Sequence, residues 1–450
     1  MKKNDLIHGN IAKALLLFVL PLIAGSLIQQ LYTTADAIIV GQFTGKSGLA
    51  AIDSVHTLFK FPINFMNGLA TGATIMISGY FGAKDKKSMH CAVRTALLTA
   101  VILGIICSVC GVYFASHMLD IMSVPVDIYN DALIYCQIYF SGLWSMILYN
   151  MIAGILRAYG DSKRPLYVLI LSSLINIAGN FLLVGVFHAG VSGAAAATVL
   201  AQIISSFVLY IILIKSDFIE EKIHIFKAGI CREHMGIMIK KGFPLALQSM
   251  LFPIANSIIQ ASVNTMGTNS IAAWGICDKL DMIIWLIADS MGPALTTYTA
   301  QNIGAGKFDR VKKGAFTGAG LSVISVGVVS LLLYFCSGIL GPWFIAEKDV
   351  PTLIPLVVKY MQMMAPFFIF YAIAEAFSGV CCGLGETVTP MITTLLTICF
   401  LRVICIWAVL PKFNTMECIV WIYIVSWIVS GIAFILLYYR KSYEKKRKSP

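Results

Sequence analysis

Apolar stretches of twenty or more residues recur from one end of this chain to the other, and that recurrence constrains the fold more than any single motif. Each stretch is long enough to cross a hydrocarbon core of about 30 Å as a helix. Inside lipid every backbone N–H and C=O must be satisfied within the segment or a closed barrel, and runs this long and uniformly apolar fit helices. Only 12% of the 450 residues are charged against 58% hydrophobic, whereas a soluble domain carries roughly 25% charged residues. A water-soluble globule is therefore excluded, and an all-α polytopic membrane protein is expected.

Polar, glycine- and proline-containing breaks divide the chain into twelve spans, at about 14–40, 54–80, 91–118, 132–156, 165–187, 193–215, 242–266, 271–303, 314–336, 355–382, 389–410 and 417–439. The basic, then apolar N-terminus has the look of a signal peptide, but no soluble segment follows, and it reads as the first span. The chain carries a net charge of +11. Of its 33 Lys and Arg, 26 lie in or beside loops on one side of the expected membrane. Three lie opposite (Lys46, Lys348, Lys412) and four fall within spans (Lys60, Lys279, Lys359, Arg402). The positive-inside rule then puts both termini in the cytoplasm, so the basic excess is a topology signal and no ground for a nucleic-acid partner.

The chain also matches itself. Pro21 and Ser26 fall on Pro244 and Ser249; Gly45, Ala50, Ala51 and Ala83 on Gly267, Ala272, Ala273 and Ala305; Gly154, Gly160, Asp161 and Pro165 on Gly379, Gly385, Glu386 and Pro390. A nearly constant offset marks an internal duplication that places spans 1–6 on spans 7–12. Six is even, so both halves enter the membrane in the same sense. Two six-helix bundles related by a pseudo-twofold along the membrane normal are expected. The expected division is an N-terminal lobe over 1–215, an inter-lobe loop over 216–241, a C-terminal lobe over 242–439 and a basic tail over 440–450. Two bundles facing a central cleft can open to either side in turn, which is what transport by alternating access requires.

Asp36 lies inside the first span, where a carboxylate costs about 2.5–3.5 kcal/mol on insertion scales, and intramembrane carboxylates mark functional sites by default. In span 5, Asn176 and Asn180 are four residues apart and share a helix face; Ala194 and Thr198 repeat that spacing in span 6. Counted from the outer ends of their spans, Asp36, Asn180 and Thr198 sit at one depth, roughly 7–10 Å in at 1.5 Å per residue. One carboxylate with amide and hydroxyl oxygens makes a hard ligand set suited to Na⁺ and equally able to hold a proton. In the second half, Glu375 and Asp289 lie inside spans. Pro293 cannot donate to the carbonyl of Asp289, so a kink is expected there, making a cleft feature. Asp278, Lys279 and Asp281 form a charged cluster expected to pair structurally, with Asp278 and Asp281 as secondary cleft candidates. Lys60 and Arg402 either neutralise these acids or snorkel.

The twelve cysteines are scattered, mostly within apolar segments, with no spacing that reads as a disulfide framework or a zinc site; Cys107, Cys110, Cys381 and Cys382 read as buried or lipid-facing thiols. The seven histidines show no metal-ligand spacing, and neither a nucleophile–base pair nor a phosphate loop is present. A membrane-embedded transferase is accordingly disfavoured and a non-enzyme is expected.

Several runs resemble the multidrug and toxic compound extrusion (MATE) transporters, most nearly their bacterial branch. They are PLIAGSLIQQLYTTADAIIVGQ followed by GLAAI, GLATGATIMISGYFGAKD, AGILRAYGDSKRP and EAFSGVCCGLGETVTP. The resemblance extends from about residue 11 to 439. It implies a twelve-helix antiporter of the cell membrane that exports small organic compounds, cationic or amphipathic, in exchange for Na⁺ or H⁺. It implies no cofactor beyond that ion and no partners beyond the bilayer and the exported molecule, with no obligatory protein partner. On matching positions, Asp36 corresponds to the cation-site carboxylate, with Asn176, Asn180 and Thr198 beside it and Ala194 as a carbonyl ligand. Glu375 corresponds to an acid used in the C-terminal lobe. The chain departs from some members in having no Asp or Glu over 242–266, and Asn rather than Asp at position 180. A lipid-linked oligosaccharide flippase is the nearest rival, but such cavities gather basic residues, whereas Lys60, Lys279 and Arg402 here are accompanied by acids.

Overall fold

A computed structural model describes residues 5–216 and 229–448, with side chains to residue 442. Part of the expected inter-lobe loop and the end of the basic tail lie outside those residues. Among the described residues every regular element is helical. In chain order they are α1 (Ile11–Ala83), α2 (Lys86–Ile121), α3 (Val126–Ala158), α4 (Lys163–Asn180) and α5 (Gly190–Ile214), then α6 (Arg232–Val263), α7 (Thr268–Gly304), α8 (Phe308–Leu340), α9 (Val350–Met364), α10 (Phe368–Gly383), α11 (Val388–Thr394), α12 (Leu401–Ala408), α13 (Leu410–Phe413) and α14 (Met416–Lys448). Ten continuous helical stretches are long and apolar enough to cross a membrane. Helix α1 counts once among them although Gly45, with φ 70° and ψ −170°, divides it into two spans. Helix α7 is not among them; it carries Asp278, Lys279, Asp281 and Asp289 over its 37 residues. With α1 counted as two segments and α7 as one, twelve segments result, as the apolar pattern predicts.

The duplication is written in the backbone as well as in the sequence. Gly45 and Gly267 both adopt positive φ (70° and 85°) at the junction between the first and second span of their half. Gly160 and Gly385 do so (85° and 90°) between the fourth and fifth. Only residues without a Cβ enter that region freely, so these glycines set where the chain reverses. The fifth span of each half also contains a π-helical turn, Phe181–Val186 in one and Leu395–Phe400 in the other.

Two compact units are present, the first running from Leu17 to Ala246 and the second comprising Leu6–Leu16 together with residues from Leu247 onward. Residues 6–16 therefore pack with the second half and not with the one that directly follows them in sequence. The reason is polar anchoring within the second unit. Asn302 Nδ2 donates to the Leu6 carbonyl (3.1 Å), Lys307 Nζ to that of Ile7 (3.2 Å) and Arg310 Nη1 to that of Gly9 (3.0 Å). In the first unit the start of α6 is held by close backbone approach: a Cβ on Gly72 would lie 2.5 Å from Gly242 Cα, and one on Gly68 2.2 Å from Ala246 N. Each unit has its own apolar core, one around Phe59, Tyr135, Phe140 and Tyr159, the other around Trp274, Phe368 and Trp427.

Small residues also seat α10 on α7. A Cβ on Gly379 would lie 2.2 Å from the Gly292 carbonyl oxygen, and backbone cannot give way as a side-chain tip can. Gly379→Ala is expected to destabilise the protein by about 1–3 kcal/mol through overpacking. Thermal unfolding in detergent should show a lowered midpoint for that variant. Gly79→Ala, at a helical site with nothing within 4 Å of the added methyl, should hold or slightly raise the midpoint, because alanine is the better helix former.

Helix α7 runs as one element through Pro293. One expectation needs correction. The cysteines are not all isolated: Cys91 and Cys231, 140 residues apart, form a disulfide with a Cα–Cα distance of 6.5 Å. No local spacing could have announced it, because the two meet only when the N-terminal ends of α2 and α6 come together within the first unit. Of the thiols read as buried or lipid-facing, Cys381 and Cys382 are buried, Cys107 half-buried and Cys110 exposed.

Candidate functional site

Three spans of the first unit converge on Asp36. From α4, Asn180 Nδ2 donates to Asp36 Oδ1, and the same amide donates to Asn176 Oδ1 (3.0 Å), one turn earlier on the same helix face. Asn176 Nδ2 donates in turn to Thr198 Oγ1 on α5 (3.0 Å), and the Thr198 hydroxyl donates to the Ala194 carbonyl (3.1 Å). All five residues expected from spacing and depth thus form one hydrogen-bonded chain. Asn176, Asn180, Ala194 and Thr198 are buried, while Asp36 is half-buried at the open end. Helix α4 passes into its π-helical turn directly after Asn180, an irregularity that recurs at functional sites because it re-aims neighbouring groups.

Within this hydrogen-bonded network one buried atom lacks a protein partner. Both amide hydrogens of Asn180 are spent on Asp36 and Asn176, and its Oδ1 is buried with nothing to accept from. An unsatisfied buried carbonyl costs about 1–3 kcal/mol. A small hard cation, or a donor carrying a proton, would relieve that cost while meeting the Asp36 carboxylate. The donor set therefore fits the chemistry that its residue types suggested.

Around the carboxylate stand three tyrosines that spacing arguments missed: Tyr32, Tyr135 and Tyr139 lie within electrostatic reach of Asp36. Phe59 stacks on Tyr139 at 4.0 Å between ring centroids, which fixes that ring. A signal for Tyr32 was present, since it lies four residues before Asp36 on the same face. Nothing in the sequence linked Tyr135 or Tyr139 to position 36.

The second unit gathers its acids differently. Tyr371 on α10 donates to Asp289 Oδ1 (2.7 Å), Glu375 lies one turn further along α10 within Coulombic reach of Asp289, and its Oε2 faces Gly292. Asp289 and Glu375 are therefore neighbours. Asp281 is buried and accepts from Trp285 Nε1 (2.8 Å), and the Trp285 ring packs edge-on against Tyr371 at 4.6 Å. A continuous polar–aromatic path thus runs Asp281, Trp285, Tyr371, Asp289. Asp278 is exposed, and Lys279 lies over the Phe344 ring, 5.5 Å from its centroid. The partner that satisfies Asp281 is an indole, which a reading of charges alone could not supply. Arg402 does not snorkel: it is buried, donates from Nε to Ser426 Oγ (2.7 Å) and lies over the Tyr423 ring. At the position equivalent to Asp36 by an offset of 222 or 223 stands Ile258 or Ile259, so the halves share a fold and not this chemistry.

A half-open cavity of about 150 Å³ also lies within the first unit, with Gln29, Asn150, Arg157 and Gln202 among its polar walls and Met146 and Tyr149 among its apolar ones. Gln29 sits on α1 seven residues before Asp36, on the same helix face.

A sequence profile of the MatE family matches residues 21–182 and 244–407, one copy in each half. The chain belongs to the MatE family. Members of this family are multidrug and toxic compound extrusion (MATE) transporters of the membrane and are not enzymes. Among its relatives is the probable multidrug resistance protein YoeA of Bacillus subtilis, 27% identical over 446 residues, covering 97% of this chain and 95% of that protein. Another is an FAD transporter of Shewanella oneidensis, 24% identical over 345 residues, covering 74% and 73%. In fold, the chain matches the outward-facing structure of a multidrug resistance MATE transporter of the MOP superfamily with a TM-score of 0.90, at 20% identity over 100% of this chain and 99% of that one.

Proposed function

We propose that this MATE-family transporter exports amphipathic organic compounds, cationic ones among them, in exchange for Na⁺ or H⁺, with Asp36 as the seat of the coupling ion. The observation that carries the proposal is the unpartnered Asn180 Oδ1 beside the Asp36 carboxylate, a gap in an otherwise saturated hydrogen-bond chain. With the site open to the outer face, the ion enters and favours release of the exported molecule. The loaded form turns inward, gives up its ion and takes up a new molecule. One charge crossing 100 mV supplies about 2.3 kcal/mol for this cycle. In this proposal the protein sits in a bacterial plasma membrane, as its bacterial relatives suggest, with both termini in the cytoplasm, a reading supported by the asymmetry of Lys and Arg.

In this reading the mixed walls of the cavity near Gln29 and Arg157 receive the cargo within the first unit, and Asp289 and Glu375 are the candidate cargo contacts of the second. The test is efflux from proteoliposomes with Na⁺ and pH gradients imposed separately, using a fluorescent amphipathic cation as cargo. Efflux is expected to follow one of the two gradients and to stop when it is collapsed. Equal efflux with neither gradient overturns the proposal.

A further inference from the structure

A second cluster in the first unit, at the N-terminal ends of α2 and α6, has no part in the coupling chemistry. Cys91, Cys231 and His234 bring two sulfurs and one ring nitrogen within 4.8 Å of one another. His234 is nine-tenths buried, and neither of its ring nitrogens has a hydrogen-bond partner. A buried imidazole has one donor and one acceptor to satisfy, and leaving both unpaired is costly unless something else occupies the site. Cys231 and His234 lie three residues apart at the start of α6, so both side chains face one point; the pair does not stand out in the sequence because its third member, Cys91, is 140 residues away.

We propose that, with the disulfide reduced, Cys91, Cys231 and His234 bind one Zn²⁺-class ion, leaving a fourth position to water. Reduction by a low-molecular-weight thiol gives two cysteine thiols and the oxidised disulfide of the reductant. Binding then converts the two thiols into two thiolate ligands and releases two protons. A tetrahedral ion with Zn–S of about 2.3 Å sets the sulfurs about 3.8 Å apart, which requires only side-chain rotation from a Cα–Cα distance of 6.5 Å. The neutral imidazole supplies the nitrogen.

The backbone holds the ligands in place independently of the S–S bond. The Cys231 N–H donates to Thr95 Oγ1 (3.2 Å), and Asp85 caps α2 by accepting from the Ser88 N–H (3.1 Å). The His234 ring packs 5.4 Å from that of Tyr80. Arg94 Nη2 approaches both sulfurs, at 3.7 Å from Cys91 and 3.5 Å from Cys231, as an outer-shell donor to thiolates would. Two thiolates neutralise the dication, so this guanidinium faces no net positive centre. The cluster lies beside Lys84, Lys86 and Lys87, on the face that the charge asymmetry places in the cytoplasm, where thiols are kept reduced.

The test uses the full chain in detergent, reduced with a phosphine that is then removed, and titrated with Co²⁺ without oxygen. One equivalent should produce thiolate-to-cobalt charge-transfer absorption that Zn²⁺ displaces. Oxidised protein should give none. Cys91→Ser should abolish the absorption, and His234→Ala should weaken binding by at least about 100-fold, since outer-shell partners alone are worth 10–100-fold. Absorption that persists unchanged in Cys91→Ser assigns the metal to the other ten cysteines and overturns the proposal, as does no absorption in reduced wild type. If a variant does not fold, alkylation of reduced wild type read by mass spectrometry decides: Zn²⁺ should protect Cys91 and Cys231 selectively, and equal alkylation with and without Zn²⁺ refutes the site. Because the readout is metal in purified protein, it is independent of whether the transport proposal holds.

Discussion

Asp36→Asn is expected to abolish ion-coupled efflux, lowering the gradient-driven rate by at least about 100-fold, or about 2.8 kcal/mol at 1.4 kcal/mol per tenfold, while membrane insertion and expression stay at wild-type levels. The substitution keeps the size of the side chain and leaves an oxygen to accept the Asn180 amide. It removes the charge that the bilayer makes costly, by about 2.5–3.5 kcal/mol on insertion scales, so stability should hold or rise. Only the ability to hold an exchangeable cation is lost. Asp309→Asn is the matched control, since that acid is exposed, lies in the first turn of α8 and belongs to the other unit; it should transport nearly as wild type. Efflux in vesicles and protein content of the membrane together check the result. Wild-type rates in Asp36→Asn would remove this residue from the coupling mechanism.

Much of this architecture was legible because membrane spans are written in long apolar runs, and because a duplication repeats its own punctuation. The glycines matched by the internal offset, Gly45 with Gly267 and Gly160 with Gly385, proved to be backbone reversals with the same sign of φ. The first-unit site was legible for a similar reason: helical spacing put Asn176 with Asn180 and Ala194 with Thr198, and depth counting put Asn180 and Thr198 level with Asp36. What escaped was contact between spans that carries no periodic signature. Tyr139 against Asp36, Trp285 against Asp281, Ser426 against Arg402 and Cys91 against Cys231 each join residues whose own surroundings in sequence are unremarkable. The Lys279 cluster misled because charges adjacent in sequence need not face one another on a helix.

Asn180 offers the sharper test of whether the hydrogen-bond chain couples the ion or merely holds three helices together. Asn180→Leu keeps the branched shape with added bulk and deletes both donors and the unpartnered carbonyl, leaving Asp36 and Asn176 Oδ1 each short of a donor. Each orphaned acceptor costs about 1–3 kcal/mol, so thermal stability should fall, and coupled efflux should fall with it by about 100-fold. Asn180→Asp separates the two roles. It restores an oxygen at the same place but removes the donor to Asp36 and sets a second carboxylate against it. That repulsion is relieved only by a cation or proton between the two acids. The apparent affinity for the coupling ion should then rise, about tenfold, although the apo protein is less stable than wild type. Adding the coupling ion should recover the unfolding midpoint, because a ligand that binds only the folded state stabilises it in proportion to its affinity. A purely structural asparagine predicts the reverse pattern, with stability lost in both variants and neither the midpoint nor the rate responding to the ion, because helix packing offers no place for a cation to act.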